Sequence, residues 1–195
     1  RPRAAACDPS PVDPRMHKRI ERDGGPDEVA VEEPLEIRVD GRPIAVTMRT
    51  PGADEELALG FLHGEGLIAE ARAAGPPADL AANTIEVAGP LARDPGDRNF
   101  YATSSCGVCG KGAIEHVAVD APRATPGPEV PRSLLASLPA RVRQPAFELT
   151  GGLHATGLFD AAGELICARE DVGRHNAMDK VIGWALGEAL LPLSG

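Results

Sequence analysis

Leu35, Ile37 and Val39 alternate with polar residues, Asp40-Gly41 follows, and Ile44, Val46 and Met48 alternate again. Period two on both sides of an Asp-Gly pair is a strong short-range signal for a β-hairpin. No other stretch constrains the fold as much. A buried face specifies the register of both strands, and a slip of one residue would turn the whole apolar set to water. Pro43 has no amide hydrogen to give to a ladder, which predicts an edge position for the second strand.

Pro51-Gly52 ends this unit and Asp54-Glu55-Glu56 follows. Asp54 is predicted to cap a helix, with the acids suited to its first turn and Leu57, Phe61 and Leu62 on one face. Gly64 and Gly66 interrupt, and a further helical turn is expected over 66–71. Residues 84–87 read as a strand and 99–103 as extended. A short helix is expected over 110–118, weakened by Gly112, and another over 133–138. The last third is the most regular. A strand over 153–159, a turn over 160–163 and a strand over 165–168 lead through Asp171-Val172-Gly173 into a helix. There Ala177, Met178, Val181, Ile182, Ala185 and Leu186 recur at helical spacing. Strand, turn, strand, helix predicts an α/β or α+β core, of which α/β is the fold class expected here.

The expected organisation is a segment without order at 1–26, rich in Pro, Arg, Asp and Gly. A hairpin-and-helix part follows at 27–100, then a cysteine loop with a short helix at 101–120. A Pro-rich linker covers 121–131 and the start of the α/β core 132–195. The chain has 195 residues, is 43% hydrophobic and only 3% aromatic, so the core must be aliphatic. A net charge of −9 argues against nucleic acid as a partner. No run of 18 apolar residues is present, so no membrane span is expected. Arg1–Cys7 carries no apolar signal region, and the absence of an initial Met leaves room for an earlier start.

There are four cysteines: Cys7, Cys106, Cys109 and Cys167. That is too few and too unevenly spaced for a disulfide scaffold, so reduced thiols in the cytoplasm are expected. Cys106 and Cys109 form a CxxC flanked by Gly107, Gly110 and Gly112. The spacing admits three chemistries. Structural zinc needs about four ligands, and the rest would have to come from His116, His154, His175 or Cys167, none at ligand spacing. A redox pair belongs at the start of a long helix, whereas these glycines suggest an open loop. Sulfur carriage needs an exposed thiolate, which Lys111 and a helix N-terminus would favour. Two small buried cysteines are the structural alternative.

The surrounding residues add to the spacing. Ser105-Cys106-Gly107-Val108-Cys109-Gly110-Lys111 resembles the motif of the formate dehydrogenase accessory sulfurtransferases. Residues 27–35, 54–68, 150–155 and 169–180 are similar to four further blocks of that family, in order. The resemblance implies a cytidine-deaminase-like α/β core with a smaller N-terminal hairpin and helix part, usually as a homodimer. It implies a sulfur carrier that takes sulfane sulfur from a cysteine desulfurase. The acceptor is the molybdenum bis-pterin guanine dinucleotide cofactor, destined for formate dehydrogenase. No resident metal and no tightly bound cofactor are implied; the molybdenum cofactor is substrate. Cys106 would bear the persulfide and Cys109 would assist its release or protect it as a disulfide. Family members continue past the position of Gly195 into further strands and a Gly/Arg-bearing segment, so those parts are expected to be missing here. The resemblance assigns no role to His63, in His63-Gly64-Glu65-Gly66.

Asp171, Arg174 and His175 open the last helix, where backbone N–H groups bind anionic oxygens, and His154 follows two glycines that permit close approach. These four are the candidate cofactor-binding residues. The alternatives stay open: Asp171 as a cap competing with Gly173, Arg174, Asp179 and Lys180 as a solvated helix face, His154 as a satisfied core histidine. Cys167 reads as a small core residue, His116 as surface and Trp184 as packing. Three functions compete: a sulfurtransferase, a cofactor-binding chaperone with structural cysteines, and a deaminase-type zinc hydrolase. The last wants Pro-Cys-x-x-Cys with a His-x-Glu or Cys-x-Glu; no Pro precedes Cys106, and His154-Ala155-Thr156 lacks the Glu.

Overall fold

The computed structural model describes residues 12–95, 100–102 and 126–193. It is a mixed α/β arrangement. Strand β1 (His17–Arg22) pairs antiparallel with β2 (Gly25–Ala30). Order therefore starts well before Asp27, inside the segment where the composition predicted none. The hairpin has no apolar alternation for a sequence reading to find; cross-strand polar contacts hold it, such as His17 Nδ1 to Glu28 Oε2 at 2.8 Å.

Strands β3 (Glu33–Val39) and β4 (Arg42–Arg49) form the predicted hairpin. Asp40 and Gly41 both have positive φ, 47° and 78°, as a two-residue turn matched to the strand twist requires. The face of β4 differs from the expectation. Ile37 pairs with Ala45 but Arg38 pairs with Pro43, so Ile44 is an extra, unpaired residue and a bulge. Beyond a bulge the alternation changes side. Ala45, Thr47 and Arg49 therefore share the buried face with Leu35 and Ile37, while Met48 is turned out and exposed.

Among the described residues the largest sheet has the order β5-β6-β3-β4-β7, with β5 at Ala74–Gly75, β6 at Thr84–Val87 and β7 at Phe100–Ala102. Strand β4 is thus not at the edge. Pro43 is tolerated because, among the described residues, β7 pairs with Ala45–Thr47 and not with Pro43.

Helix α1 (Asp54–Gly64) follows β4. Ala53, in the left-handed region, is its N-cap, and Asp54 is the first helical residue. Asp54 does not cap. It accepts two hydrogen bonds from Arg49, Nε to Oδ1 and Nη2 to Oδ2, both 3.0 Å. Leu57 and Leu62 join Leu35, Ile37, Ile85 and Val87 in an aliphatic core that Leu186 completes from the far end of the chain. Each such side chain contributes roughly 1.5–3 kcal/mol by leaving water.

The C-terminal part holds two short helices, α2 (Arg132–Ser137) and α3 (Pro145–Thr150). Then come the antiparallel pair β8 (His154–Phe159) and β9 (Leu165–Asp171) and helix α4 (Arg174–Gly187). Cys167 is buried on β9, as expected of a small core residue. Helices α1 and α4 cross at two glycines. A Cβ on Gly60 would lie 1.8 Å from the Asp179 carbonyl oxygen, and one on Gly183 would lie 1.8 Å from that of Glu56. The contact is reciprocal: on each helix the meeting glycine and carbonyl are one turn apart.

Candidate functional site

The end of β4, the end of β9 and the start of α4 meet in a buried polar knot. Asp171 is 0% exposed and Lys180 1%. Lys180 Nζ lies 2.8 Å from Asp171 Oδ2 and donates to the carbonyls of Thr50 at 2.9 Å and Glu170 at 3.2 Å. Asp171 Oδ2 also accepts from the Thr50 amide at 3.1 Å. Its Oδ1 accepts from the Gly173 amide at 2.8 Å and from Asn176 Nδ2 at 3.1 Å. Asn176 Nδ2 donates to the Met48 carbonyl at 2.7 Å, and Asn176 Oδ1 accepts from the Thr47 hydroxyl at 3.3 Å. A buried ion pair survives only when its remaining lone pairs and protons are satisfied, and here they are.

This knot positions the four predicted residues. The β8–β9 register sets His154 opposite Asp171, and Arg174 and His175 follow within the first turn of α4. His154 and Arg174 are exposed, and His175 is partly buried. His175 Nδ1 is buried without a hydrogen-bond partner among the described residues. Asp171 is different: both its oxygens are engaged inside the protein. Gly173 is the N-cap of α4 and has no side chain to offer, so Asp171 organises the helix start from two residues upstream.

Asn176, Lys180, Thr47 and Thr50 were not singled out from the sequence as site residues. A signal existed for Lys180: it lies between Ala177 and Val181, both on the buried stripe. The reading of Arg174, Asp179 and Lys180 as one solvated face is overturned, because Lys180 is buried and Asp179 partly so. Met178, counted among the apolar stripe, is exposed. Behind the knot, the Glu170 carboxylate accepts from the amides of Ala146 and Phe147 at the start of α3. Burial raises its pKa, and these two hydrogen bonds oppose the rise.

Asp179 sits on α4 beside the C-terminal turn of α1. Burial first, then the charges of Glu65 and Asp171, push its pKa up to about 7. The folded chain thus binds this proton more tightly than the unfolded chain. The resulting stability is fully present below pH 4 and is lost as pH rises through 7. Asp179→Asn is expected to flatten the thermal stability between pH 4 and 8. At pH 8 the variant should exceed the parent by on the order of 2 kcal/mol. Melts across that pH range test this; parallel curves for the two proteins would refute it.

Cys106 and Cys109 lie outside the described residues, as do Lys111 and His116. The strand that precedes them in sequence, β7, runs parallel to β4 with Ala102 abreast of Thr47, whose hydroxyl reaches Asn176. Among the described residues no group of three or more His, Cys, Asp or Glu side chains could hold a metal ion. None of the described helices is long and apolar enough to cross a membrane.

A mixed α/β chain with this ordered set of sequence blocks has known counterparts. Residues 30–192 match the FdhD/NarQ family, and the chain belongs to that family. It is 50% identical over 196 aligned residues to the sulfur carrier protein FdhD of Streptomyces coelicolor, covering 89% of this chain and 69% of that protein. It is 44% identical to the protein of the same name from Mycobacterium tuberculosis, covering 86% and 68%. The fold is similar to a crystal structure from Desulfotalea psychrophila described as a formate dehydrogenase accessory protein. The TM-score is 0.61 at 27% identity, over 91% of this chain and 71% of that one.

Proposed function

We propose that this chain is a sulfur carrier serving formate dehydrogenase, with a cysteine persulfide as the carried form. The observation that carries the reading is membership of the FdhD/NarQ family together with the Cys106–Cys109 pair in the sequence. The Cys106 thiolate attacks the outer sulfur of a persulfide on a cysteine desulfurase. The donor's S–S bond breaks, its thiolate leaves, and Cys106 holds the sulfur as a persulfide. Attack of Cys109 on the Cys106 sulfur then releases hydrosulfide to the acceptor and leaves a disulfide. The pair supplies the two electrons, and an external dithiol restores it.

The acceptor in this reading is the molybdenum bis-pterin guanine dinucleotide cofactor, bound as substrate. Its phosphates suit the N-terminus of α4, a helix of 14 residues, with Arg174, His175 and His154 presented around it. Asp171 acts through the fold, by holding Gly173 and Asn176 in place. In this reading residues 132–195, with the β8–β9–α4 unit, form the start of a cytidine-deaminase-like core. A cytoplasmic homodimer, able to meet both the desulfurase and formate dehydrogenase, completes the proposal.

The test is intact mass after incubation with a cysteine desulfurase and cysteine. A gain of about 32 Da that reductant removes, absent from Cys106→Ala, is the expected result. No gain on the folded protein would move the reading to a cofactor-binding chaperone.

A further inference from the structure

Among the described residues, the strands of the β1–β2 hairpin pair only with each other. A two-stranded hairpin is marginal in water unless a further strand or a helix supports it. Its two edges differ. The Val31 amide donates to the Met16 carbonyl at 2.9 Å, which fixes which residues bond across the pair. With Lys18 opposite Val29 and Ile20 opposite Asp27, the backbone groups of Lys18, Ile20 and Arg22 turn to β2. Those of His17, Arg19 and Glu21 turn to the free edge of β1. On β2 the outward residues are Pro26, Glu28 and Ala30. Pro26 has no amide hydrogen to offer, and a Cβ on Gly152, just after α3, would lie 3.4 Å from that of Ala30. That edge is blunted. The β1 edge carries no proline. Arg19 and Glu21 are exposed there, with no hydrogen bond or ion pair among the described residues.

Charges on an edge ordinarily keep other strands away. Here they select one partner. An antiparallel copy of β1 must set outward residues opposite outward residues, so the two-fold axis passes through a residue and not between two. An axis at Lys18, Arg19 or Glu21 sets that charge against its own copy. An axis at Ile20 sets Ile20 against Ile20, and Arg19 against Glu21 on both sides. Ile20 is then in the closer, non-hydrogen-bonded kind of pair, with Cα atoms about 4.5 Å apart. Arg19 and Glu21 are in the kind that exchanges backbone hydrogen bonds. Opposite charges directly across a ladder are favourable. The one like-signed pair is Lys18 with Arg22, and Asp27 already neutralises Arg22 at 3.1 Å.

We propose that a second copy of this chain pairs on the free edge of β1 about a two-fold axis at Ile20. The two hairpins then form one sheet in the order β2-β1-β1-β2. The inference rests on the homodimer of the proposed function and gives that dimer its contact.

The test is sedimentation equilibrium of the full chain and its variants, with thermal melts confirming that each folds. The parent is expected to dimerise. Arg19→Glu and Glu21→Arg should each raise the dimer dissociation constant at least about tenfold, since like charges then stand opposite on both sides of the axis. Combining the two swaps the pair and should bring the constant back to within about threefold of the parent. Arg19→Pro spares the β1–β2 ladder, because the amide it removes faces outward, and should abolish association. A dimer indifferent to these substitutions would overturn the inference while leaving the homodimer to another surface. Weakening in the single variants without recovery in the combined one would overturn it as well. A parent that stays monomeric at the highest concentration would overturn both the contact and the homodimer.

Discussion

Gly60→Ala is expected to lower the melting temperature by roughly 6–12 °C, corresponding to about 3 kcal/mol in a domain of this size. Gly183→Ala should do the same. The usual effect of alanine in a helix is opposite, a gain of nearly 1 kcal/mol over glycine. Here each new methyl would sit 1.8 Å from a carbonyl oxygen of the partner helix. Backbone cannot rotate aside as a side chain can, so the helices must separate. Separation strips contacts from both α1 and α4 and pulls Leu186 away from the aliphatic core. The two substitutions act on one crossing, so the double variant should cost less than the sum of the singles. Melts of the three variants decide the matter. A stabilised Gly60→Ala, or strict additivity, would mean that the helices do not cross at this pair.

Lys180→Met should be of similar size, about 3–5 kcal/mol. Methionine fills much the same volume but leaves the Asp171 carboxylate buried, opposite no cation. It also removes the donor to the carbonyls of Thr50 and Glu170. Adding Asp171→Asn should recover part of the loss, since the stranded charge is then gone and the amide can still bond. Recovery in the double variant, measured by denaturant unfolding, separates a charge effect from a packing effect. Full stability of Lys180→Met would show that the pair is not buried. A second consequence follows for the site. The knot ties the N-terminus of α4 to β4, so its loss should loosen the setting of Arg174, His175 and His154 together.

The β3–β4 hairpin was legible because an Asp-Gly turn and a period-two pattern are both local. The β8–β9 hairpin and α4 were legible for the same kind of reason. The β1–β2 hairpin was not, because its contacts are polar and between strands, and polar pairs leave no periodic trace in the chain. The face of β4 was misread because a bulge at Ile44 changes side without changing composition. Asp54 looked like a cap, and the structure pairs it with Arg49 from the preceding strand. Residues 154, 171, 174 and 175 were singled out one by one from glycines and a helix start. That they gather at one end of a hairpin follows from its register.

The sequence by itself determined the β3–β4 and β8–β9 hairpins, helices α1 and α4, the aliphatic character of the core and the family, since each rests on residue order and spacing. The environment of each charged side chain was decided only in three dimensions. Lys180 and Asp171 are nine residues apart in the chain, yet what buries them is Thr47 to Thr50, arriving from the first third. Burial is a property of what packs on a residue, and the partner strand is not written beside it.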